Sequence, residues 1–304
     1  MRVLVTGGSG LVGKHLAEHE PTWNYLSSFD GDLRDRNTVW DIFEFYQPDA
    51  VIHLAAKVGG IQSNSSQPMD YFTDNVLINT NVVQTALDFG VKKFVGLISS
   101  CAYTDVSPSY PLQENQLFEG EPHMLNYGYG MAKRMLAAQI KIARQHLGKN
   151  FSYLIPSNLY GLYETGDISV KHFVGALMDK IIRAEEGDGI VTLFGDGTPL
   201  RQFTYAEDVA NILRRVIEQD VSENLNVSID ENLTIDQIAR IAVSVSDNPN
   251  LTIQYDSSKP NGQYRKDIDT TLLKKVFGDF KFTPYIEGLR KTYRFYKNKS
   301  RDEN

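Results

Sequence analysis

The sequence predicts an α/β fold in which a doubly wound parallel sheet carries a smaller α/β lobe. In the first half of the chain, short apolar strands alternate with longer amphipathic helices. Buried strands that alternate with helices form a parallel sheet covered on both faces. The alternation weakens after residue 157, where turn-rich segments begin. We therefore expect residues 1–157 to form mainly the large, nucleotide-binding domain and residues 158–304 mainly a substrate-binding lobe, with interleaved segments.

The composition is that of a globular protein with enough apolar residues for a sizeable core. The 304 residues are 41% hydrophobic and 23% charged, with a net charge of −7. This acidic balance predicts neither a nucleic-acid partner nor an anionic membrane partner. A strand begins at once, without a charged leader, and no run reaches the ~20 apolar residues of a membrane span, so we expect a cytoplasmic protein. The single cysteine, Cys101, excludes an internal disulfide and a cysteine-cluster metal site, and we expect no metal.

Strands in the first half are predicted by short runs of β-branched and aromatic residues. They are Arg2–Val5, Tyr25–Ser28, Ala50–Ala55, Phe94–Ser99 and Phe151–Pro156. Apolar residues at helical spacing predict the helices between them. These are Leu11–Glu18, Arg36–Phe45, Tyr71–Phe89 and Tyr129–Leu147. The second half predicts helices at Val174–Arg183, Tyr205–Gln219, Ile235–Ser246 and Tyr285–Asn298, and strands at Ile190–Phe194 and Leu251–Tyr255. The polar end, residues 297–304, is expected to fray.

A glycine-rich turn joins the first strand to the first helix. Gly7, Gly10 and Gly13 stand in the run Val-Leu-Val-Thr-Gly-Gly-Ser-Gly-Leu-Val-Gly. The first glycine permits a tight turn, the second lets backbone N–H groups approach a pyrophosphate, and the third allows close packing of helix on strand. The turn therefore predicts a Rossmann-type dinucleotide site that is made by Gly7, Gly8, Ser9, Gly10, Leu11, Val12, Gly13 and Lys14.

The Gly-x-x-Gly-x-x-Gly spacing resembles that of the short-chain dehydrogenase/reductase superfamily, especially its extended members that act on nucleotide sugars. In NAD-selective sites an acidic residue at the end of the second strand binds the ribose 2′-hydroxyl. Here that strand ends in Ser27 and Ser28, Asp30 follows, and Lys14 offers a positive charge to a 2′-phosphate. We therefore expect NADP(H); the alternative is that Lys14 is only a solvated charge. The resemblance also implies cofactor contacts from Asp32, Leu33, Leu54, Ala55 and Ala56.

Two further segments predict an acid–base site. Tyr129 and Lys133 have the Tyr-x-x-x-Lys spacing, which places both side chains on one face of a helix. An ammonium beneath a phenol favours the phenolate, so we expect Lys133 to lower the pKa of Tyr129 and both residues to contact the cofactor. The fourth strand ends in Ser99 and Ser100, and a serine at the carboxyl end of a strand is placed to orient a carbonyl beside the tyrosine. The same spacing at Tyr293 and Lys297 lacks these neighbours.

Over nearly its whole length, the sequence resembles the GDP-L-fucose synthase family, NADPH-dependent 3,5-epimerase-4-reductases of GDP-4-keto-6-deoxymannose. The matching segments, in order, are Met1–Lys14, Val51–Gly60, Asn75–Asn81, Ser99–Tyr103, Tyr127–Met135, Ile155–Gly161, Phe194–Asp208 and Lys259–Lys266. The resemblance implies a GDP-sugar substrate and a homodimer formed through the helices that begin near Tyr71 and Tyr129. The alternatives are a reductase acting only at C4 of a related GDP-4-keto sugar (a heptose included), a 4-epimerase that retains NAD, and a non-catalytic NADP-binding regulator.

The family pattern also implies individual roles. It selects Ser99 as the catalytic serine, Cys101 as the base of the epimerisation and His172 as its acid, although a lone cysteine is otherwise more often a packing residue. Of the other histidines, His15 is expected on an exposed helix face and His53 in the core. Substrate contacts are implied for Asn158, Arg201, Lys259, Arg265 and Lys266.

One segment departs from the family. Relatives carry a Gly-Pro-His-Asp-Asn-Phe-like run after the Asn-x-Tyr segment, whereas residues 161–167 read Gly-Leu-Tyr-Glu-Thr-Gly-Asp. Because the resemblance places this loop beside the sugar and phosphate, the departure leaves open both the exact hexose and the retention of the epimerase step.

Overall fold

The structure, a computed structural model, describes residues 1–164, 171–259, 261–278 and 280–302. Within them the strands are β1 (Val3–Thr6), β2 (Asn24–Leu26), β3 (Ala50–His53), β4 (Lys93–Leu97), β5 (Asn150–Pro156), β6 (Asn158–Tyr160), β7 (Ile190–Phe194), β8 (Leu200–Arg201), β9 (Phe203–Tyr205), β10 (Leu225–Val227), β11 (Leu233–Thr234) and β12 (Thr252–Asp256). The helices are α1 (Leu11–His19), α2 (Arg36–Tyr46), α3 (Ile61–Ser66), α4 (Pro68–Asp88), α5 (Tyr127–Leu147), α6 (Phe173–Glu186), α7 (Ala206–Glu218), α8 (Ile235–Ser244), α9 (Thr271–Val276) and α10 (Tyr285–Asp302).

In the described part of the chain, six strands form one parallel sheet in the order β10-β5-β4-β3-β1-β2. Successive residues of β1 point to opposite faces, so that Leu4 packs in one core and Val3 and Val5 pack in the other. Helices α2, α4 and α5 cover the first face, and α1 and α7 cover the second. The predicted doubly wound parallel sheet is therefore confirmed.

The strand order reverses at β1. The chain places β2 on one side of β1 and then returns to place β3 on the other side. In open α/β sheets, a ligand crevice forms at the carboxyl ends of the strands beside such a reversal. The loops that follow β1, β3 and β4 lie at that end of the sheet, and they begin at Gly7, Leu54 and Ile98.

The second half of the chain contributes to both parts of the molecule. Its strand β10 extends the large sheet beside β5, and its helix α7 packs on the same core as α1. A third core lies among α6, α8 and α10 and the parallel pair β7 and β12. Met178, Ile181, Ile238 and Leu289 are fully buried there.

The expected fraying of the C-terminal end is wrong for the residues described, because α10 continues to Asp302. Two of its side chains bind a carboxylate of α6. Tyr293 donates its hydroxyl to Glu185 over 2.8 Å, and Lys297 Nζ lies 2.6 Å from the same carboxylate. The second Tyr-x-x-x-Lys match therefore has a structural role. Neither α10 nor any other described helix is long and apolar enough to cross a membrane.

Candidate active site

The glycine turn after β1 is shaped for a close approach of another group. Gly7 has a φ of +73°, and a Cβ there would lie 2.7 Å from the backbone nitrogen of Ala55. A Cβ on Gly13 would lie 2.5 Å from the Gly7 carbonyl oxygen, so that α1 approaches the turn only with glycine there. Gly8 donates to the Leu26 carbonyl over 2.6 Å, which ties the turn to β2.

The N-terminus of α1 is available to an anion. Gly10 caps the helix with no side-chain hydrogen bond, and Ser9 and Gly10 are exposed. Leu11 is half-buried and Val12 is buried against the sheet. The first N–H groups of an α-helix have no partner within the helix and carry partial positive charge. Glycines and helix end together fit a dinucleotide pyrophosphate.

At the end of β2, the available charges differ from those of an NAD-selective site. The carboxylate of Asp30 turns back to accept hydrogen bonds from the Ser27 N–H and hydroxyl, at 2.7 and 2.8 Å. Ser28 is exposed, and Lys14 is exposed with Nζ 5.3 Å from the ring centre of Tyr163. The Asp30 carboxylate is thus engaged locally, and within the described residues Lys14 takes part in no ion pair.

Neighbouring residues fix the positions of the residues that the family resemblance implies in binding the adenine and in lying beneath the cofactor. Arg34 donates from Nε and Nη2 to the two carboxylate oxygens of Asp32, which holds the pKa of that carboxyl below its usual range. The Leu33 carbonyl accepts from the Asn81 amide over 3.0 Å. Leu54, Ala55 and Ala56 follow β3 as half-buried residues, as the small-residue strand end requires.

A buried chain of hydrogen bonds supports the segment Leu54–Ala56 that follows β3. The Thr6 hydroxyl accepts from the Ala55 N–H and donates to His53 Nδ1 over 2.7 Å, because Asn79 Oδ1 can only accept and therefore places the proton of the neutral ring on Nε2. The protonated nitrogen of His53 is then Nε2, which donates to Asn79 Oδ1 over 3.0 Å. Burial, with the charge of Lys133, lowers the pKa of His53 to about 3 and keeps the ring neutral. The predicted core position of His53 is confirmed, whereas His15, expected to be exposed, is 1% exposed and lies against Tyr163.

The Ser99, Tyr129 and Lys133 side chains come from the end of β4 and the first turns of α5. Lys133 is buried, and its Nζ donates to the Leu97 carbonyl over 2.7 Å and lies 5.8 Å from the Tyr129 ring centre. Burial lowers the pKa of Lys133 to about 8. The expectation that Lys133 lowers the pKa of Tyr129 is wrong here, because burial and the charge of Cys101 raise it. Tyr129 therefore holds its proton at neutral pH.

Ser99 and Cys101 are joined by a short 3₁₀ turn, Ser100–Ala102. The Ser99 hydroxyl caps this turn by accepting from the Cys101 N–H over 3.2 Å, which leaves the hydroxyl proton for another acceptor. Cys101 Sγ accepts from Lys266 Nζ at 3.3 Å, and Asn126 Nδ2 lies 3.8 Å away. Burial opposes ionisation of the thiol, but Ser99, Lys266 and His172 outweigh it and lower the pKa of Cys101.

His172 stands at the N-terminus of α6, where a carboxylate holds it. Glu164 Oε1 accepts from both the backbone N–H and the ring Nδ1 of His172, each at 2.6 Å. The side chain of Glu164 is 9% exposed and that of His172 is 45% exposed. Burial disfavours the imidazolium, but the hydrogen bond and charge of Glu164 and the charge of Cys101 raise the pKa of His172. Sequence reasoning missed both Glu164 and Asn126; the only sequence signal for Glu164 was its place in the departing loop.

The five residues implied in substrate binding differ in burial and in the groups that they contact. Arg201 is buried and donates hydrogen bonds to the Leu200 and Tyr264 carbonyls, and burial lowers its pKa to about 10. Lys266 is at the thiol, whereas Arg265 is paired with Asp267 at 2.5 Å. Asn158 is half-buried on β6 and Lys259 is exposed. Residues 165–167 of the departing loop, and Pro260, lie outside the described residues. Within those described, no group of three or more His, Cys, Asp or Glu side chains is arranged to hold a metal ion.

Comparison with known proteins identifies the family of the chain. Residues 3–228 match the model of the NAD dependent epimerase/dehydratase family. The chain is similar to a GDP-L-fucose synthase of Dictyostelium discoideum, 33% identical over 97% of this chain and 94% of the relative. It is also similar to a GDP-L-colitose synthase of Yersinia pseudotuberculosis, 32% identical over 100% of both chains. A crystal structure of a GDP-L-fucose synthetase of Naegleria fowleri bound to NADP superposes with a TM-score of 0.86 at 32% identity, over 98% of this chain and 93% of that one.

Proposed function

The chain belongs to the NAD-dependent epimerase/dehydratase family, and we propose that it converts GDP-4-keto-6-deoxy-D-mannose to GDP-L-fucose with NADPH. The reaction combines epimerisation at C3 and C5 with reduction at C4. The observation that carries the proposal is one crevice edge that holds two kinds of acid–base group. A protonated tyrosine and a serine lie beside a thiol with a lowered pKa, and a histidine with a raised pKa is close enough for its charge to act on that thiol.

The residues around the glycine turn fit NADP(H). Its pyrophosphate would meet the N-terminus of α1 at Gly10, its 2′-phosphate would meet Lys14 and Ser28, and its ribose would meet Lys133. Because Asp30 is bonded to Ser27, its carboxylate does not have to be desolvated against a phosphate. When bound, NADPH supplies the hydride that reduces C4.

For the reduction, we assign the proton to Tyr129. Its raised pKa keeps the phenol protonated, so that it delivers a proton to the C4 oxygen as negative charge develops there. The Ser99 hydroxyl accepts from the Cys101 N–H and also hydrogen-bonds with the Cys101 thiol; we propose that its proton turns to the C4 oxygen when the substrate binds. We call Ser99, Tyr129 and Lys133 the reduction set.

For the epimerisation, we assign the base to Cys101 and the acid to His172. The 4-keto group acidifies the neighbouring C–H bonds; the Cys101 thiolate takes the proton at C3 or C5, and the electron pair moves to the C4 oxygen, where Tyr129 and Ser99 stabilise it. The imidazolium of His172 then returns a proton to the opposite face, and solvent restores both groups for the second carbon. We call Cys101, Lys266, His172 and Glu164 the proton-transfer set.

The remaining polar groups are proposed to bind the nucleotide part of the substrate. The guanidinium of Arg201 is buried against backbone carbonyls, and a diphosphate would supply the anion that such a group favours. Asn158, Lys259 and Arg265 are proposed as weaker contacts, since Arg265 already pairs with Asp267.

The decisive assay incubates the enzyme with GDP-4-keto-6-deoxymannose and NADPH in D2O and analyses the product by mass spectrometry and NMR. We expect NADPH oxidation and deuterium at C3 and C5. Oxidation without deuterium identifies the second candidate, a reductase acting only at C4, which the departing loop favours. If neither NADPH oxidation nor deuterium incorporation occurs, the protein is a non-catalytic NADP-binding protein.

A homodimer in the cytoplasm completes the proposal. The packed helices α4 and α5 expose apolar side chains at Leu77, Met135 and Ile142, the last 55% exposed. Two such pairs would form a four-helix bundle that covers these side chains. Sedimentation should give a dimer for the parent and a monomer for the Leu77→Glu, Ile142→Glu variant; a monomeric parent would contradict this assembly.

A further inference from the structure

Within the described residues, Glu164 of the departing loop is the carboxylate that pairs with His172. Glu164 approaches the histidine at two points, since its Oε1 accepts from the backbone N–H and from ring Nδ1. The first contact fixes the start of α6 and the second fixes the ring. Nε2 lies on the far side of the ring from Nδ1, so the carboxylate leaves that nitrogen free to carry a proton elsewhere.

The Glu164 carboxylate fills a space beside α6 that neighbouring residues leave open. A Cβ on Gly175, in the first turn of α6, would overlap Glu164 Oε2 and approach the Tyr296 hydroxyl, so the glycine leaves open the space that the carboxylate occupies. Glu164 is almost fully buried, whereas the histidine it holds is half exposed. An ion pair on the protein surface would be neither buried to this extent nor packed against a glycine of the helix.

We propose that Glu164 is a positioning residue for the epimerisation: its carboxylate fixes the orientation of the His172 ring and holds a proton on Nδ1. The inference rests on the proposed function, in which His172 returns the proton to the sugar. With Nδ1–H bound to a carboxylate, the imidazolium is stabilised, and Nε2–H is the proton that the ring delivers.

Other charges act on the same ring. Cys101 favours the imidazolium and Lys266 disfavours it. Lys171, the preceding residue, is paired with Asp179 at 2.7 Å, and Tyr296 of α10 lies beside Glu164. Because Cys101 and Lys266 remain in a Glu164 variant, a change in the titration of His172 reports the lost carboxylate.

The test compares Glu164→Gln with a matched control, Asp179→Asn, which removes a carboxylate of α6 whose partner is Lys171 rather than His172. NMR of labelled histidine, with His172→Asn for assignment, should show a lower His172 pKa in Glu164→Gln and the parent value in Asp179→Asn. Glu164→Asp, which keeps the charge on a shorter side chain, should titrate between Glu164→Gln and the parent.

The kinetic readout is the ratio of C3 inversion to C3 deuterium exchange. Exchange needs only the thiol, whereas inversion needs the imidazolium, so in Glu164→Gln the ratio should fall by ~10-fold or more at pH 8 and by less at pH 6. The effect is larger at pH 8 because a variant with a lower His172 pKa has lost more of its imidazolium at that pH than at pH 6.

The outcomes separate the two proposals. A parent enzyme that exchanges deuterium, with a Glu164→Gln variant that keeps the parent's His172 titration and inversion ratio, overturns the role of Glu164 alone. A parent that reduces the substrate without exchange overturns the proposed function, and with it this role.

Discussion

The reduction set and the proton-transfer set share one crevice edge but differ in what sets their pKa values. Lys133 and Tyr129 are shifted chiefly by burial, which lowers the pKa of the lysine and raises that of the tyrosine. For Cys101 and His172, neighbouring side chains outweigh the effect of burial on the pKa. Lys266 and Ser99 lower the pKa of the thiol, and Glu164 raises that of the imidazole. Removing a partner should therefore change the acid–base behaviour of the second set most, with a smaller effect on Tyr129, whose pKa the charge of Cys101 also raises.

The two sets also differ in how the chain assembles them. The reduction set comes from one strand end and one helix, within residues 99–133. In the proton-transfer set, Lys266 reaches Cys101 across 165 positions of the sequence, and Glu164 and His172 come from the loop and helix between them. Rigid local elements hold the first set, whereas the second depends on how the smaller lobe packs on the larger.

The largest expected effect separates the two sets. Tyr129→Phe removes the proton donor of the reduction, so NADPH oxidation should fall by about 10³-fold. Deuterium exchange at C3 and C5 should remain measurable, because the thiol and its partners are untouched. Both rates are measured on one preparation by absorbance and mass spectrometry. Loss of exchange and oxidation by equal factors would show that the two sets do not act separately.

The reciprocal variant, Cys101→Ser, should give the next largest effect. Serine keeps a similar shape, but its hydroxyl has a far higher pKa than a thiol, so exchange at C3 and C5 should fall by about 10²-fold or more. Reduction of a 4-keto GDP-sugar should survive and yield the unepimerised product. Exchange at the parent rate would identify Cys101 as a packing residue.

The smallest expected effect lies away from both sets, at the cofactor turn. Lys14→Ala should weaken NADPH binding by ~1–3 kcal/mol, because a charge-assisted contact with the 2′-phosphate is lost. NADH lacks that phosphate, so its affinity is the internal control and should stay unchanged. Equal affinities of NADPH and NADH in the parent would contradict the NADP(H) assignment.

Much of the larger domain could be predicted from local pattern. The glycine turn, the buried strands and the Tyr129–Lys133 spacing each depend on short segments whose periodicity or turn chemistry is visible in the sequence. Short strands such as β8 and β11 were missed because two-residue pairings carry no periodicity. The strand β10 was missed because it joins the large sheet from far along the chain.

Long-range contacts limited the prediction of the site. Lys266, implied in substrate binding, lies at the thiol, and the adjacent Arg265 turns to Asp267 instead. Nothing in a run of basic residues tells which side chain faces the crevice. His15 was expected to be exposed because its helix position is polar, yet Tyr163 and Tyr205 pack against it. Its burial depends on a loop about 150 residues away in sequence.

Lys266, distant in sequence, is expected to set the ionisation of the Cys101 thiol. Since Cys101 is the only cysteine, thiolate absorbance at 240 nm, with Cys101→Ser as the blank, reports its titration directly. Lys266→Met should move the midpoint to higher pH, whereas Lys259→Met, an exposed lysine of the same segment, should leave it at the parent value. Because a raised thiol pKa lowers the thiolate fraction most at low pH, the loss of deuterium exchange should shrink as pH rises. An unchanged midpoint in Lys266→Met would contradict the account.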